Sequence, residues 1–146
     1  MIINGSTLLG LAPIKDMIDH KSLSNGLSYG LTEIGYDIRI AQTVELSKNK
    51  KFVLASAIEE FQMPTNLMGR VCDKSSMARK GIGIFNTVIQ PGWKGFLTLE
   101  LCYHGEEPIK ILEGTPIAQI IFEDILEMSS YLGKYQNQEN KPVEAK

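Results

Sequence analysis

Cysteine, histidine and tryptophan are scarce in this sequence of 146 residues, at two, two and one respectively. Cys72 and Cys102 stand far apart and form no CxxC pair, so there is no disulfide framework to build a fold on, and two reduced thiols are expected. Neither His20 nor His104 opens an H-x-E motif, and no P-C-x-x-C follows either one, which excludes a catalytic zinc of that type. Any hydrolytic chemistry has to work without a zinc-bound water. Basic excess is also missing: Lys and Arg number 15 against 17 Asp and Glu, a net charge of −2, which argues against nucleic acid or a membrane surface as partner. No apolar run approaches the roughly 18 residues that span a bilayer. The opening Met1-Ile2-Ile3-Asn4-Gly5-Ser6 has neither the basic start nor the apolar stretch of a secretory signal, so the expected location is the cytoplasm. No internal repeat or interdomain linker is visible.

What is present is a hydrophobic fraction of 43%, enough to bury one core. From Tyr36 onward the chain consists of short β-rich runs broken by turn residues. Ile38-Arg39-Ile40 and Thr43-Val44-Glu45-Leu46 alternate apolar and polar residues, as half-buried strands do. A further strand is predicted to begin at Phe52–Ala55, and others lie at Leu67–Val71, Thr87–Ile89, Gly95–Tyr103, Ile109–Leu112 and Ile117–Phe122, with turns at Pro91-Gly92, His104–Pro108 and Glu113-Gly114. Ser6 to Ile18 has room for one or two short helical turns, and Met77–Lys80 for one. Regular short strands with Gly and Pro turns predict an all-β sandwich, barrel or jelly roll. The β domain is expected over residues 1–128. Residues 129–146 form a polar tail whose Tyr131-Leu132-Gly133-Lys134-Tyr135-Gln136-Asn137-Gln138 keeps aromatics, a cation and amides together, as a lid over a ligand would.

Two features suggest chemistry. Lys74-Ser75-Ser76-Met77-Ala78-Arg79 places cations around paired hydroxyls, a loop suited to phosphate. Glu100 interrupts the otherwise apolar Phe96-Leu97-Thr98-Leu99-Glu100-Leu101. Burying a carboxylate without partners costs several kcal/mol or raises its pKa. Glu100 therefore either lies on a solvated strand face or is held for proton transfer.

These segments resemble those of the dCTP deaminases, the deaminating branch of the trimeric dUTPase-like superfamily. Ser28-Tyr29-Gly30 with Gly35-Tyr36-Asp37-Ile38-Arg39 is similar to the S-Y-G … G-Y-D-[IV]-R opening of that family. Lys74–Arg79 matches [KR]-S-[ST]-x-[AG]-R, and Trp93-Lys94-Gly95 with Thr98-Leu99-Glu100 matches W-x-G-x-x-T-L-E. Gly114–Gln119 fits G-x-x-[IV]-[AG]-Q, and Gly133–Gln138 fits G-K-Y-Q-x-Q. The blocks occur in the family's order and span about Ser28 to Pro142.

The resemblance implies a distorted β-barrel or jelly-roll core of the dUTPase-like type, a homotrimer with interfacial active sites, and zinc-independent hydrolysis of dCTP to dUTP and ammonia. It assigns Glu100 as the base that takes a proton from the attacking water, Arg79 as the group that keeps that carboxylate ionised and oriented, and Ser75 as the group that positions the water. Lys74 and Ser76 would meet the phosphates, Thr98 and Leu99 would touch the nucleotide through backbone groups, and Tyr131, Lys134 and Gln138 would close the site. Mg²⁺ is implied as a passenger on the triphosphate, with no protein-held metal. Asp37 and Arg39 read as a structural or intersubunit ion pair. One departure bears on the reaction. Where the family commonly carries Asp or Glu before Pro, this chain has Gln90, whose amide can hydrogen-bond the deoxyribose 3′-hydroxyl but cannot act as a base for attack on the α-phosphate. That favours deamination alone over a dUTPase or a bifunctional deaminase–dUTPase. A non-catalytic nucleotide-binding trimer would be favoured by loss of Glu100 or Arg79, and both are present. The short stretch between Arg79 and Glu100 suits the shorter-loop members, and the backbone carbonyl that helps hold the water is then nearest to Asn86 or Thr87.

Overall fold

In the computed structural model, which describes all residues 1–146, the β-rich runs become strands and the helices are short. The order is β1 (Ile2–Ile3), α1 (Gly5–Leu11), β2 (Lys21–Ser24), β3 (Leu27–Leu31), β4 (Tyr36–Arg39), β5 (Val44–Leu46) and β6 (Phe52–Gln62). There follow β7 (Leu67–Asp73), α2 (Ser75–Ala78), β8 (Ile82–Ile84), β9 (Val88–Ile89), β10 (Lys94–Tyr103), β11 (Ile109–Ile111) and β12 (Pro116–Asp124).

The larger sheet runs β2-β3-β4-β12-β7-β9, with β1 added on β12; a second runs β6-β10-β8, and β11 pairs with β5. The sheets do not close on themselves, so the architecture is jelly-roll-like and not a barrel. Alternation builds the core between them. Ala118, Ile120 and Phe122 of β12 point inward to meet Ala55 and Phe61 of β6 and Leu99 and Leu101 of β10, all fully buried. Each fully buried Leu, Ile or Phe in such a core contributes about 1.5–3 kcal/mol. No helix is long and apolar enough to cross a membrane.

Three elements exceed the sequence reading. The β2–β3 hairpin turns at Asn25-Gly26, both with positive φ (50° and 78°), the geometry of the two-residue turn that matches strand twist. β8 pairs with β10 from Leu101↔Ile84 to Tyr103↔Ile82. β6 runs on to Gln62 through a bulge: Phe96 of β10 faces Glu60 while Thr98 faces Ser56, which leaves Ala57, Ile58 and Glu59 opposite Leu97 alone.

The bulge and the end of β7 settle the charges on β4. Asp37 and Arg39, expected to pair, have different partners because neighbouring elements bring nearer ones. Glu59 accepts from Arg39 Nε at 2.9 Å and from its backbone N–H at 2.9 Å, and the guanidinium lies 4.0 Å over the Tyr29 ring. Burial pushes the Glu59 carboxyl above its usual range, against the lowering effect of Arg39. Asp37 instead takes the Lys74 ammonium at 2.5 Å, with both side chains almost wholly out of solvent.

The tail is also part of the packed structure. A frayed segment that adds little to folding would leave Trp93 without a cover, yet Trp93 is buried and donates from Nε1 to the Tyr135 carbonyl at 2.7 Å. Lys94 N–H donates to Gln136 Oε1 at 2.6 Å, Asn137 N–H to the Lys94 carbonyl at 2.8 Å, and Phe96 N–H to the Gln138 carbonyl at 2.9 Å. The tail therefore lies along the start of β10, where Gln138 pairs in parallel with Gly95. Gly95, at φ 136°, is required there, since a Cβ would come within 2.5 Å of Gln138 N.

Candidate active site

The docked tail, β10 and the segment joining β8 to β9 enclose a cavity of about 530 Å³. Strand alternation places its chemistry. Leu99 and Leu101 face the core, so the alternating Thr98 and Glu100 face the cavity, with Glu100 half-buried. Gln90 enters from the turn before Trp93, and Tyr131 and Gln138 enter from the tail. Glu100 is the one acidic side chain on this lining, and apolar and aromatic groups make up most of the rest. Its carboxylate makes no ion pair within the chain. A carboxylate on a rigid strand, in a largely apolar hollow and free of competing cations, can accept a proton from a water held beside a ligand.

Five of the residues singled out from the sequence thus meet in one hollow: Gln90, Thr98, Glu100, Tyr131 and Gln138. Gln138 Nε2 donates to the Phe96 carbonyl at 3.0 Å and to Thr98 Oγ1 at 2.6 Å, which fixes its amide with Nε2 toward the strand. The Leu99 side chain lies in the core, leaving only its backbone near the site.

Lys74, Ser75, Ser76 and Arg79 lie elsewhere. They sit on and around α2, between β7 and β8, outside the cavity lining. Ser75 and Arg79 are exposed, and no ion pair joins Arg79 to Glu100 within one chain. Lys74 is not a free phosphate ligand here, because its ammonium is committed to Asp37. Ser76 Oγ is buried without a hydrogen-bond partner, as is Asp37 Oδ1. Lys134 also stays off the lining: its ammonium lies 5.4 Å from the Tyr135 ring centroid and donates to the Lys146 carbonyl.

Sequence reasoning gave no role to Trp93 or Val143, both of which line the cavity, as does Tyr135 of the expected lid. The single tryptophan of the chain, set within W-x-G, was the available signal for the first. Val143 N–H donates to Thr98 Oγ1 at 3.1 Å, so the tail continues over the hollow well past Gln138. Phe52 and Phe85, both substantially exposed, stack at 6.0 Å, with Phe52 on the cavity rim and Val88 exposed nearby.

These sheets and this pocket define a protein of the dUTPase-like fold. The equine infectious anaemia virus (EIAV) dUTPase superposes with a TM-score of 0.59 at 24% identity, covering 84% of this chain and 91% of that one. A 2′-deoxycytidine 5′-triphosphate deaminase from Agrobacterium tumefaciens gives 0.64 at 16% identity, over 83% of this chain and 47% of that one. Residues 37–125 match the family model described as dCTP deaminase-like. The dCTP deaminase of Wolbachia sp. subsp. Brugia malayi is 32% identical over 86% of this chain and 85% of its own length. The chain belongs to the dCTP deaminase-like family.

Proposed function

We propose that this protein deaminates dCTP to dUTP and ammonia by a zinc-independent hydrolysis, with Glu100 as the base. The observation that carries this reading is the lone carboxylate of Glu100 in an apolar hollow, on the strand that matches the T-L-E block of the family. Water adds to C4 of cytosine as its proton passes to Glu100. Glu100 returns that proton to N3, then moves the hydroxyl proton to the amino nitrogen. The C4–N bond breaks, and ammonia leaves behind the uracil carbonyl. The triphosphate oxygens would hold Mg²⁺, as the family resemblance implies.

The cation and hydroxyl of the site come, in this reading, from a neighbouring subunit of a homotrimer. Each chain would lend Ser75 and Arg79 to the hollow of the next, where Arg79 would meet Glu100. Two features support it: Ser75 and Arg79 are exposed while Glu100 has no cationic partner of its own, and the exposed Phe52, Phe85 and Val88 offer apolar surface beside the hollow. The tail acts as the lid, with Tyr131 and Gln138 in the wall and Lys134 free to exchange its carbonyl partner for phosphate.

Incubation with dCTP and Mg²⁺ should yield ammonia and dUTP with little pyrophosphate, because Gln90 offers no carboxylate for α-phosphate attack. Pyrophosphate in step with ammonia would reverse that assignment, and absence of ammonia would remove the deaminase reading. The shared site has its own test. Glu100→Gln and Arg79→Ala should each be inactive, yet co-expression should restore about a quarter of wild-type activity, the share of sites in randomly assembled cyclic trimers that draw both intact residues. No recovery would place both residues in one chain's site.

A further inference from the structure

We propose that the side chain of Asn86 is a positioning residue for the reaction, replacing a missing stretch of neighbouring strand and so holding the backbone of Thr98 and Glu100 in place. The inference rests on the deaminase reading for its kinetic consequence, but its structural basis stands on the fold alone. β10 has one edge on β6 along most of its length, while its other edge is covered piecemeal. At Leu101 to Tyr103 that edge pairs with β8, and Phe85 N–H still reaches the Glu100 carbonyl at 2.9 Å. At Gly95 and Phe96 it pairs with Gln138 of the tail. Between these patches the chain after Phe85 turns away toward β9, and on this edge no paired strand lies beside Thr98 and Glu100, whose β6 neighbours Ser56 and Leu54 are on the opposite edge.

Asn86 fills this gap. Its Nδ2 donates to the Thr98 carbonyl at 2.7 Å, and its Oδ1 accepts from the Glu100 N–H at 2.8 Å. A primary amide presents one donor and one acceptor side by side, so a single side chain can bond both backbone groups of the facing strand. Aspartate lacks the donor, and alanine lacks both. The two bonds flank Leu99, whose side chain is locked in the core, so this part of the strand is held from front and back. The side chains projecting into the cavity here are Thr98, which anchors Gln138 and Val143 of the tail, and Glu100. Asn86 thus sets the direction of the carboxylate without touching the carboxylate itself.

Misplacing a catalytic group by about 1 Å can cost as much as 100-fold in rate. Asn86→Ala is accordingly expected to lower kcat about 10- to 100-fold, with KM for dCTP changed by less than about twofold, since Asn86 lines the cavity but both polar atoms of its side chain are committed to the strand. Hydrogen exchange of the same protein without nucleotide should show the Glu100 amide exchanging at least about tenfold faster. The Tyr103 amide, bonded to the Lys51 carbonyl, should keep its protection and so mark the variant as folded. Unchanged exchange at Glu100 would overturn the proposal. So would a raised KM at constant kcat, which would make Asn86 a ligand contact. If the wild type does not deaminate dCTP, the functional reading fails while the exchange measurement still decides the clamp.

Discussion

Replacing Glu100 with glutamine is expected to lower turnover about 10²- to 10⁴-fold, the range over which a positioned general base acts. The variant keeps the size of the side chain and its capacity for hydrogen bonds, and removes only the proton acceptor. The fold should not suffer. The carboxylate has no ion pair within the chain to lose, and the backbone bond from Glu100 N–H to Asn86 is untouched. Nucleotide affinity should largely survive, because the phosphates and the lid act elsewhere. Single-turnover deamination, measured beside equilibrium binding of dCTP, separates the two. A near-normal rate would show that Glu100 is not the base, whereas equal loss of rate and binding would make it a ligand contact.

Truncation after Ser129 should raise the KM for dCTP at least about tenfold, which corresponds to 1.4 kcal/mol of binding. It removes Tyr131 and Gln138 from the cavity wall and opens the hollow to water. The same cut should also lower the melting temperature. Trp93 loses its cover and its acceptor, and Lys94 and Phe96 lose theirs. A loss of about 1–2 kcal/mol corresponds to a fall of roughly 3–8 °C in a chain of this size. Kinetics and melting identical to the full chain would mean that the tail has no part in either. A lower melting temperature with unchanged KM would leave it as structural cover alone.

Much of the fold was legible because strand runs such as Ile117–Phe122 carry their own pattern and their own turn residues. Where the reading fell short, information lay outside the local pattern. Ile58-Glu59-Glu60 carries no apolar alternation, so a strand beginning at Phe52 shows no end point in sequence; in the structure it continues, with Arg39 satisfying a buried Glu59. Asn25-Gly26 carried a hairpin signal that the mixed composition of Lys21 to Leu31 obscured. For the site, Glu100 stood out as a charge in an apolar strand. The place of Lys74 could not be read, since its partner Asp37 is distant in sequence and the two meet only because β12 pairs with β4 on one side and β7 on the other. Arg79 poses a harder case: the motif gives its chemistry, but one chain's periodicity does not say whether the group it would serve lies in the same copy or, as proposed above, in another. Asn86 was noticed for its backbone, and its side chain acquires meaning only once the gap beside β10 is seen.

The pairing of Gln138 with Gly95 has a consequence for the protein's behaviour in concentrated solution. An open strand edge is a template for any other strand, and folded proteins blunt such edges to stay soluble. Here the blunting is supplied by the chain's own tail, which takes the backbone bonds that a foreign strand would otherwise find at Lys94 and Phe96, on either side of Gly95. A protease that nicks the polar segment after Ser129 would therefore leave a sticky molecule as well as a slower one, in which strand-to-strand self-association begins at the edge the tail had sealed.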